Sequence, residues 1–280
     1  QALLPAVTAA GGELVLGADV QRIELDHGRV SGVTYLRDGV SQHAAAPRVI
    51  SAMGAHNTAL ALPGGAAPAW QQALRALAPG VGFVALYLGL QGDIAAAGAT
   101  SANHWIHESL EIDRLWRSPA DEDAPGLFVS FPTLKDPTCG GPPTAEVIAL
   151  VDSAAFAPWL RPAGGVDPQQ DYAALKERVG ARLRAQFERH FPALAPMVRY
   201  HEVATPITQK RYVRTPDGAM YGLEMTGERL TSTALHQHTP VEGLLLAGQD
   251  VMGPGVQAAF MGGLLAAASL EPALWRELAR

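Results

Sequence analysis

The 280-residue sequence is 48% hydrophobic and carries a formal net charge of −6, a composition that excludes a disordered chain and allows two coupled lobes. Its 21 basic residues form no run, which excludes the electrostatic footprint of a nucleic-acid-binding surface. The single cysteine, Cys139, excludes a disulfide framework and a thiolate-rich metal site. The scattered histidines, including His236 and His238, have no third ligand at metal-site spacing, so we predict no metal.

One cysteine fits a reducing, cytoplasmic compartment. No apolar run reaches the ~18 residues needed to span a bilayer, but the apolar composition leaves peripheral membrane contact open. The chain begins at Gln1 with neither an initiator methionine nor a signal peptide. We therefore expect this sequence to begin inside a longer protein.

Residues 13–50 predict β structure. Alternation of apolar and polar residues with period two indicates strands, and Asp-His-Gly and Asp-Gly are hairpin turn signals. The predicted strands cover residues 13–16, 20–25, 30–37 and 48–52.

The middle of the chain predicts a further sheet. A helix is expected at 66–79, and the longest helix at 169–191, where apolar residues recur at spacings of three and four. The apolar run 81–91 predicts an interior strand, since both of its faces are hydrophobic. Further strands are predicted at 126–132, 146–152 and 198–203.

The C-terminal segment returns to α/β character, with a buried strand at 243–248, a Gly/Pro-rich loop at 249–255 and an apolar helix at 256–270. A strand, a glycine-rich loop and a helix start together present free N–H groups and the positive end of the helix dipole. The candidate ligand-binding residues are Gly248, Gln249, Asp250, Gly255, Val256 and Gln257.

Each of these residues has a predicted task. Gly248 permits close backbone approach, Asp250 is placed to accept hydrogen bonds from ribityl hydroxyls, and the backbone from Gly255 to Gln257 presents the helix start. The same loop also matches G-x-G-x-x-A at Gly253, Gly255 and Ala258. Too little chain follows for the βαβ unit that this fingerprint should open. A strand, loop and helix without a ligand remains the alternative.

The segments 244–250 (Leu-Leu-Leu-Ala-Gly-Gln-Asp) and 255–263 (Gly-Val-Gln-Ala-Ala-Phe-Met-Gly-Gly) resemble the C-terminal FAD-binding segment of phytoene-desaturase-like flavoproteins. The nearer match is their carotenoid isomerase and retinol saturase branch. Further similar segments follow the family's order along the chain: 49–55, 87–92 with 103–106, 128–137, 205–208 and 218–222.

The resemblance implies an α/β fold with two lobes: a partial, Rossmann-like FAD-binding lobe made of discontinuous segments, and a mixed-sheet α+β substrate lobe. It places parts of the FAD lobe at 1–60 and 236–280 and the substrate lobe at 61–235. It implies cofactor contacts for Val20 and Ala52. Tyr221 and Gly222 either line the substrate lobe beside the flavin or form a structural turn. The family's N-terminal βαβ unit, which grips the ADP half of FAD, is expected outside this sequence.

The resemblance further implies an FAD-dependent oxidoreductase acting on CH–CH bonds of a long apolar polyene such as a carotenoid or retinoid. No acid/base constellation stands out, which suits chemistry carried by a cofactor, so no catalytic residue is assigned. The alternative is a non-catalytic protein that binds an apolar ligand or acts as a scaffold without holding FAD stably.

Overall fold

The computed structural model describes residues 3–120, 122–136, 138, 140–160 and 168–278. Within these ranges the strands are β1 (Asp19–Asp26), β2 (Arg29–Arg37), β3 (Val40–Ala45), β4 (Val49–Ser51), β5 (Gly82–Leu90), β6 (His104–His107), β7 (Gly126–Ser130), β8 (Thr144–Val151), β9 (Val198–Ala204) and β10 (Leu244–Leu246). The α-helices are α1 (Leu4–Ala9), α2 (Ala55–Ala61), α3 (Pro68–Ala76), α4 (Pro132–Lys135), α5 (Ala157–Leu160), α6 (Pro168–His190), α7 (Pro206–Tyr212), α8 (Gly227–Thr231), α9 (Gln249–Met252), α10 (Val256–Leu270) and α11 (Leu274–Leu278). Short 3-10 helices cover Ile112–Arg117, Ser153–Phe156, Ala195–Met197, Pro216–Gly218 and Thr233–Leu235.

The chain divides into two units. The first unit combines Gln1–Leu77 with Met225–Arg280, and the second unit is the continuous segment Ala78–Glu224. The first unit is therefore assembled from two segments that are far apart in sequence. Which unit binds the cofactor and which the substrate stays a prediction at this point, as do the lobe boundaries predicted from the sequence.

The first unit contains two small sheets. Strands β1, β2 and β3 form an antiparallel meander, and β4 pairs with β10 in parallel. Residues 13–16, which predicted a strand, lie outside every strand and are exposed. That prediction is wrong, because a short apolar segment forms a strand only when a partner strand pairs with it.

Helix α10 packs closely against the segment that follows β10. A Cβ atom placed on Gly262 would lie 2.3 Å from the carbonyl oxygen of Gly248. Only a residue without a side chain lets the helix backbone approach this closely. At Gly262 the space beside the helix is therefore occupied by the protein's own backbone.

The second unit is built on a five-stranded antiparallel sheet in the order β6-β7-β8-β5-β9. Strand β5 lies between β8 and β9, as its apolar sequence predicted. Helix α6 covers one face of the sheet with its apolar stripe. The core there is formed mainly by these residues: Val84, Leu86, Leu88, Leu127, Val129, Val147, Val179, Leu183 and Phe187.

The predicted α/β class with a sheet-rich middle is confirmed. The helix predicted at 66–79 is shorter (Pro68–Ala76), and the loop predicted at 249–255 contains the short helix α9. Within the described ranges, no helix is both long enough and apolar enough to cross a membrane.

Substitution of two neighbouring glycines of α10 tests how closely this helix packs against Gly248. Gly262→Ala places a methyl group on the Gly248 carbonyl and should lower the free energy of unfolding by about 1–3 kcal/mol. At Gly263 no atom lies within 4 Å of an added Cβ. Gly263→Ala should therefore raise stability by up to about 1 kcal/mol, since alanine is the better helix former.

Urea unfolding followed by circular dichroism measures both variants under identical conditions. Equal effects of the two substitutions would contradict the close contact between α10 and Gly248.

Candidate functional site

The two parallel strands of the first unit end at the same edge. Leu244 to Leu246 pair in register with Val49 to Ser51. The ladder continues one residue further, because the N–H of Ala247 donates to the carbonyl oxygen of Ser51 at 2.9 Å. Each strand is followed by a glycine with positive φ, Gly54 at 91° and Gly248 at 91°, and then by a helix. This edge of the sheet therefore presents two helix starts side by side.

Asp250 caps the N-terminus of α2. Its Oδ2 accepts a hydrogen bond of 2.8 Å from the N–H of Ala55, the first residue of α2. The carboxylate is buried, with 6% of the residue exposed. A Cβ on Gly54 would make only an ordinary contact of 3.4 Å with the same oxygen, so the glycine is favoured there by its φ of 91°. A negative charge at a helix N-terminus is stabilised by the free N–H groups and the dipole.

Arg229 is the cation of this edge. Its guanidinium is buried and donates to the carbonyl oxygen of Gln249 at 2.8 Å. Burial lowers the pKa of Arg229, and the negative charge of Asp250 partly offsets that effect. The two side chains therefore compensate each other's charge, which a buried charge requires.

The start of α10, which follows α9 in the chain, is open. Helix α10 begins after Gly255, whose φ is 93°, and it has no side-chain cap. The first N–H groups of an α-helix have no partner within the helix. This end of the sheet therefore offers hydrogen-bond donors and a positive dipole to a ligand.

Exposed apolar side chains surround this open helix start. Val256 is 74% exposed, and Phe260, one helical turn later, is 57% exposed. Met252 in α9 is also exposed. Polar donors at one point and apolar side chains beside them can hold a flat, largely apolar ring system that has a polar edge.

The structure brings most of the predicted cofactor residues to this edge. Gly248, Gln249 and Asp250 follow β10, and Gly255, Val256 and Gln257 form the start of α10. Ala52 follows the neighbouring strand β4 and is exposed.

Three predicted residues lie elsewhere. Val20 is near the beginning of β1 in the first unit and is partly exposed. Tyr221 and Gly222 belong to the second unit, where the Gly222 carbonyl accepts a hydrogen bond from the N–H of Gly80 at 2.7 Å. That bond joins two segments that are distant in sequence and does not decide between the two interpretations, so the turn and the role beside a flavin both stay predictions. Cys139 lies outside the described residues.

Sequence reasoning missed two contributors to the site. Arg229 stands in a short helix far from any motif, so nothing in the sequence marks it as buried. Gly54 carried a weak signal, since a glycine directly after an apolar strand often marks a turn with positive φ.

Comparisons with known proteins show which proteins the chain is similar to. No protein-family model matches the chain. The all-trans-retinol 13,14-reductase of Macaca fascicularis is 29% identical over 285 residues, covering 95% of this chain and 47% of that protein. The chloroplastic prolycopene isomerase of Arabidopsis thaliana is 27% identical over 264 residues, covering 92% of this chain and 41% of that protein.

A solved structure adds the fold. An oxidoreductase from Methanosarcina mazei superposes with a TM-score of 0.58 at 16% identity, over 96% of this chain and 52% of that protein. The chain thus spans about half the length of the curated relatives that it matches. The similarity covers nearly all of its own residues, and it confirms the resemblance to the phytoene-desaturase-like oxidoreductases in their carotenoid isomerase and retinol saturase branch.

Proposed function

We propose that this chain is part of an FAD-dependent oxidoreductase that acts on carbon–carbon double bonds of a long apolar polyene, of the carotenoid or retinoid type. The observation that carries the proposal is the similarity, over more than nine-tenths of the chain, to a retinol 13,14-reductase and to a prolycopene isomerase. Both names describe chemistry on polyenes.

The open start of α10 fits the isoalloxazine end of FAD. Bound FAD would supply hydride transfer, which no side chain can provide. The backbone N–H groups after Gly255 would then donate to the polar edge of the ring, where negative charge develops on reduction. Val256 and Phe260 would cover the ring and exclude water.

The remaining predicted contacts belong to the same proposal. Gly248, Gln249 and Asp250 would serve the ribityl chain, and Val20 and Ala52 the adenine end of the cofactor. Tyr221 and Gly222 would line the substrate site. An apolar substrate of this kind partitions into lipid, so we place the protein in the cytoplasm with peripheral contact to a membrane.

One observation favours the second candidate, an apolar-ligand protein without a cofactor. Asp250, the predicted ribityl ligand, already has a structural task as the cap of α2. A carboxylate retained for the fold alone would look the same. The absorbance of the purified protein separates the two candidates.

The full-length protein should purify with the absorption bands of oxidised flavin and should release FAD on denaturation. It should also bleach when reduced anaerobically. A protein that is colourless, and that stays colourless after incubation with FAD, would exclude the oxidoreductase.

A carboxylate introduced at the start of α10 should weaken flavin binding without lowering the stability of the protein. Val256→Asp puts a negative charge at a helix N-terminus, which stabilises the helix by up to about 1 kcal/mol. The same charge would repel the electron-rich edge of the flavin, so FAD occupancy should fall about tenfold while the melting temperature holds or rises. Val40→Asp, an exposed valine in β3, is the matched control and should leave FAD occupancy unchanged. Parallel loss of stability and flavin in Val256→Asp would contradict the role of this helix start.

Asp250→Asn tests the two tasks of that residue. The amide oxygen can still accept from Ala55, but the charge opposite the buried Arg229 is lost, so unfolding free energy should fall by about 3 kcal/mol. Arg229→Gln in the same chain should recover part of the loss, as expected for coupled charges. FAD occupancy per folded molecule, measured after gel filtration, should also decrease. A destabilised variant with unchanged occupancy would show that Asp250 is a helix cap only.

A further inference from the structure

The three sheets of the described chain have six edge strands, and five of these carry a feature that hinders pairing with a further strand. Proteins protect exposed edges with charged side chains, bulges or short length. Strand β1 carries four charged residues and two register shifts, and β9 carries two charged residues and one register shift. Strands β4 and β10 have three residues each, and β6 has four.

Strand β3 is the exception. Its six residues, Val-Ser-Gln-His-Ala-Ala, include no Asp, Glu, Lys, Arg or Pro. Its register with β2 is unbroken from Val40 to Ala45, and all six residues are exposed. Within the residues that the structure describes, no strand pairs with its outer side. An edge of this kind is a template for another strand.

Every second residue of β3 points its backbone groups outward. In an antiparallel ladder, residues that bond to the neighbouring strand alternate with residues whose N–H and C=O face the other way. The N–H of Ala46 donates to the carbonyl oxygen of Ser31 at 3.0 Å, which assigns the even-numbered positions to the bonds with β2. The odd-numbered positions therefore present a donor and an acceptor each to the free edge: Ser41, His43 and Ala45.

The long polar side chains of β3 turn towards β2 and leave this edge accessible. The amide oxygen of Gln42 accepts a hydrogen bond of 2.9 Å from the hydroxyl of Tyr35. The ring of His43 lies over β2, because a Cβ atom on Gly32 would come within 2.9 Å of its Cε1 atom. The strand ends in two alanines, whose methyl groups are too short to cover the backbone.

Two copies of this edge are complementary to each other. When two β3 strands run antiparallel with His43 opposite His43, Ser41 of each copy lies opposite Ala45 of the other. The three facing pairs then exchange two backbone hydrogen bonds each, about six in all. A strand pair in this register has a twofold axis through its centre, so both copies make the same contacts.

The ends of the strand add opposite charges. Asp38 lies in the turn before β3 and Arg48 follows β3, and both are five positions from His43. The symmetric register therefore brings Asp38 of one copy to Arg48 of the other, at both ends of the pair. The side chain of Asp38 is 93% exposed, and Arg48 is also exposed. These charges favour the symmetric register over a shifted one.

We infer that β3 is a dimerisation edge: two copies of the protein pair through β3 in antiparallel order, about a twofold axis at His43. The pairing joins two three-stranded sheets into one sheet of about six strands. A second copy is the occupant that the edge fits, because the pairing needs no other sequence and places opposite charges together at both ends.

Light scattering coupled to gel filtration measures the assembly of the full-length protein. Its mass should rise from one copy towards two with increasing concentration, since a ladder of this size makes a weak interface. His43→Pro removes an outward N–H at the centre and keeps the hydrogen bonds to β2, which is where an edge strand tolerates proline. This variant should stay folded by circular dichroism and should dimerise at least about tenfold more weakly.

Single cysteines test the register. His43→Cys places a thiol beside its own copy, since the Cα atoms of a hydrogen-bonded antiparallel pair are ~5.5 Å apart, within the reach of a disulfide. Ser41→Cys is the matched control on the same edge, because its two copies lie about 14 Å apart in the symmetric register, which no disulfide spans. Mild oxidation should cross-link His43→Cys at least about tenfold faster than Ser41→Cys or the parent protein.

A protein that remains a single copy at every concentration would overturn the inference, as would a dimer that His43→Pro leaves unchanged. Equal cross-linking of the two cysteine variants would also overturn it, because the copies would then meet by collision or in another register. Should His43→Pro fail to fold, the two cysteine variants decide alone. Flavin content enters none of these measurements, so their outcome is independent of the proposed function.

Discussion

The parallel pairing of β4 with β10 is the constraint on which the first unit depends. It joins two segments that are separated in sequence by the whole second unit. The hydrogen bond from Ala55 to Asp250, between residues 195 positions apart, holds the ends of these strands together. Long-range pairing of this kind is slow to form, because loop closure costs entropy before the contact stabilises anything. Everything at the candidate cofactor edge, from Gly248 to the start of α10, is positioned by it.

The N-termini of α2 and α10 have different partners. The N-terminus of α2 is satisfied by a carboxylate of the protein, and the carboxylate in turn compensates the buried Arg229. The N-terminus of α10 has no side-chain cap and is bordered by exposed apolar side chains. The first arrangement stabilises the fold, and the second leaves donors available to a ligand. Asp250 stands between the two, which is why a role in stability and a role in binding have to be separated by experiment.

The second unit is built on a sheet whose two faces have different surroundings. An antiparallel sheet can bury one face and present the other. Here the buried face carries the core with α6, while the other combines aromatic rings with the carboxylates of Glu146 and Glu202. Charged groups on a hydrophobic surface are costly unless water or a partner satisfies them. The register of the sheet alone places Glu146 of β8 and Glu202 of β9 on either side of Tyr87 in β5.

The sequence by itself determined the class of fold and most strands and helices, because apolar periodicity and glycine positions are local signals. It also carried the resemblance to the phytoene-desaturase-like proteins, in short segments that occur in the same order. It also placed Gly248 to Gln257 at a loop between a strand and a helix. Only the tertiary structure decided what these residues contact. Asp250 caps α2, and the backbone of Gly248 occupies the space next to Gly262. Arg229 is buried beside them. The tertiary structure also decided that residues 13–16 form no strand. The register of the sheet places Tyr87 of β5 directly between Glu146 of β8 and Glu202 of β9. Such contacts join residues distant in the chain, and their energies depend on pairing and burial that no local pattern encodes.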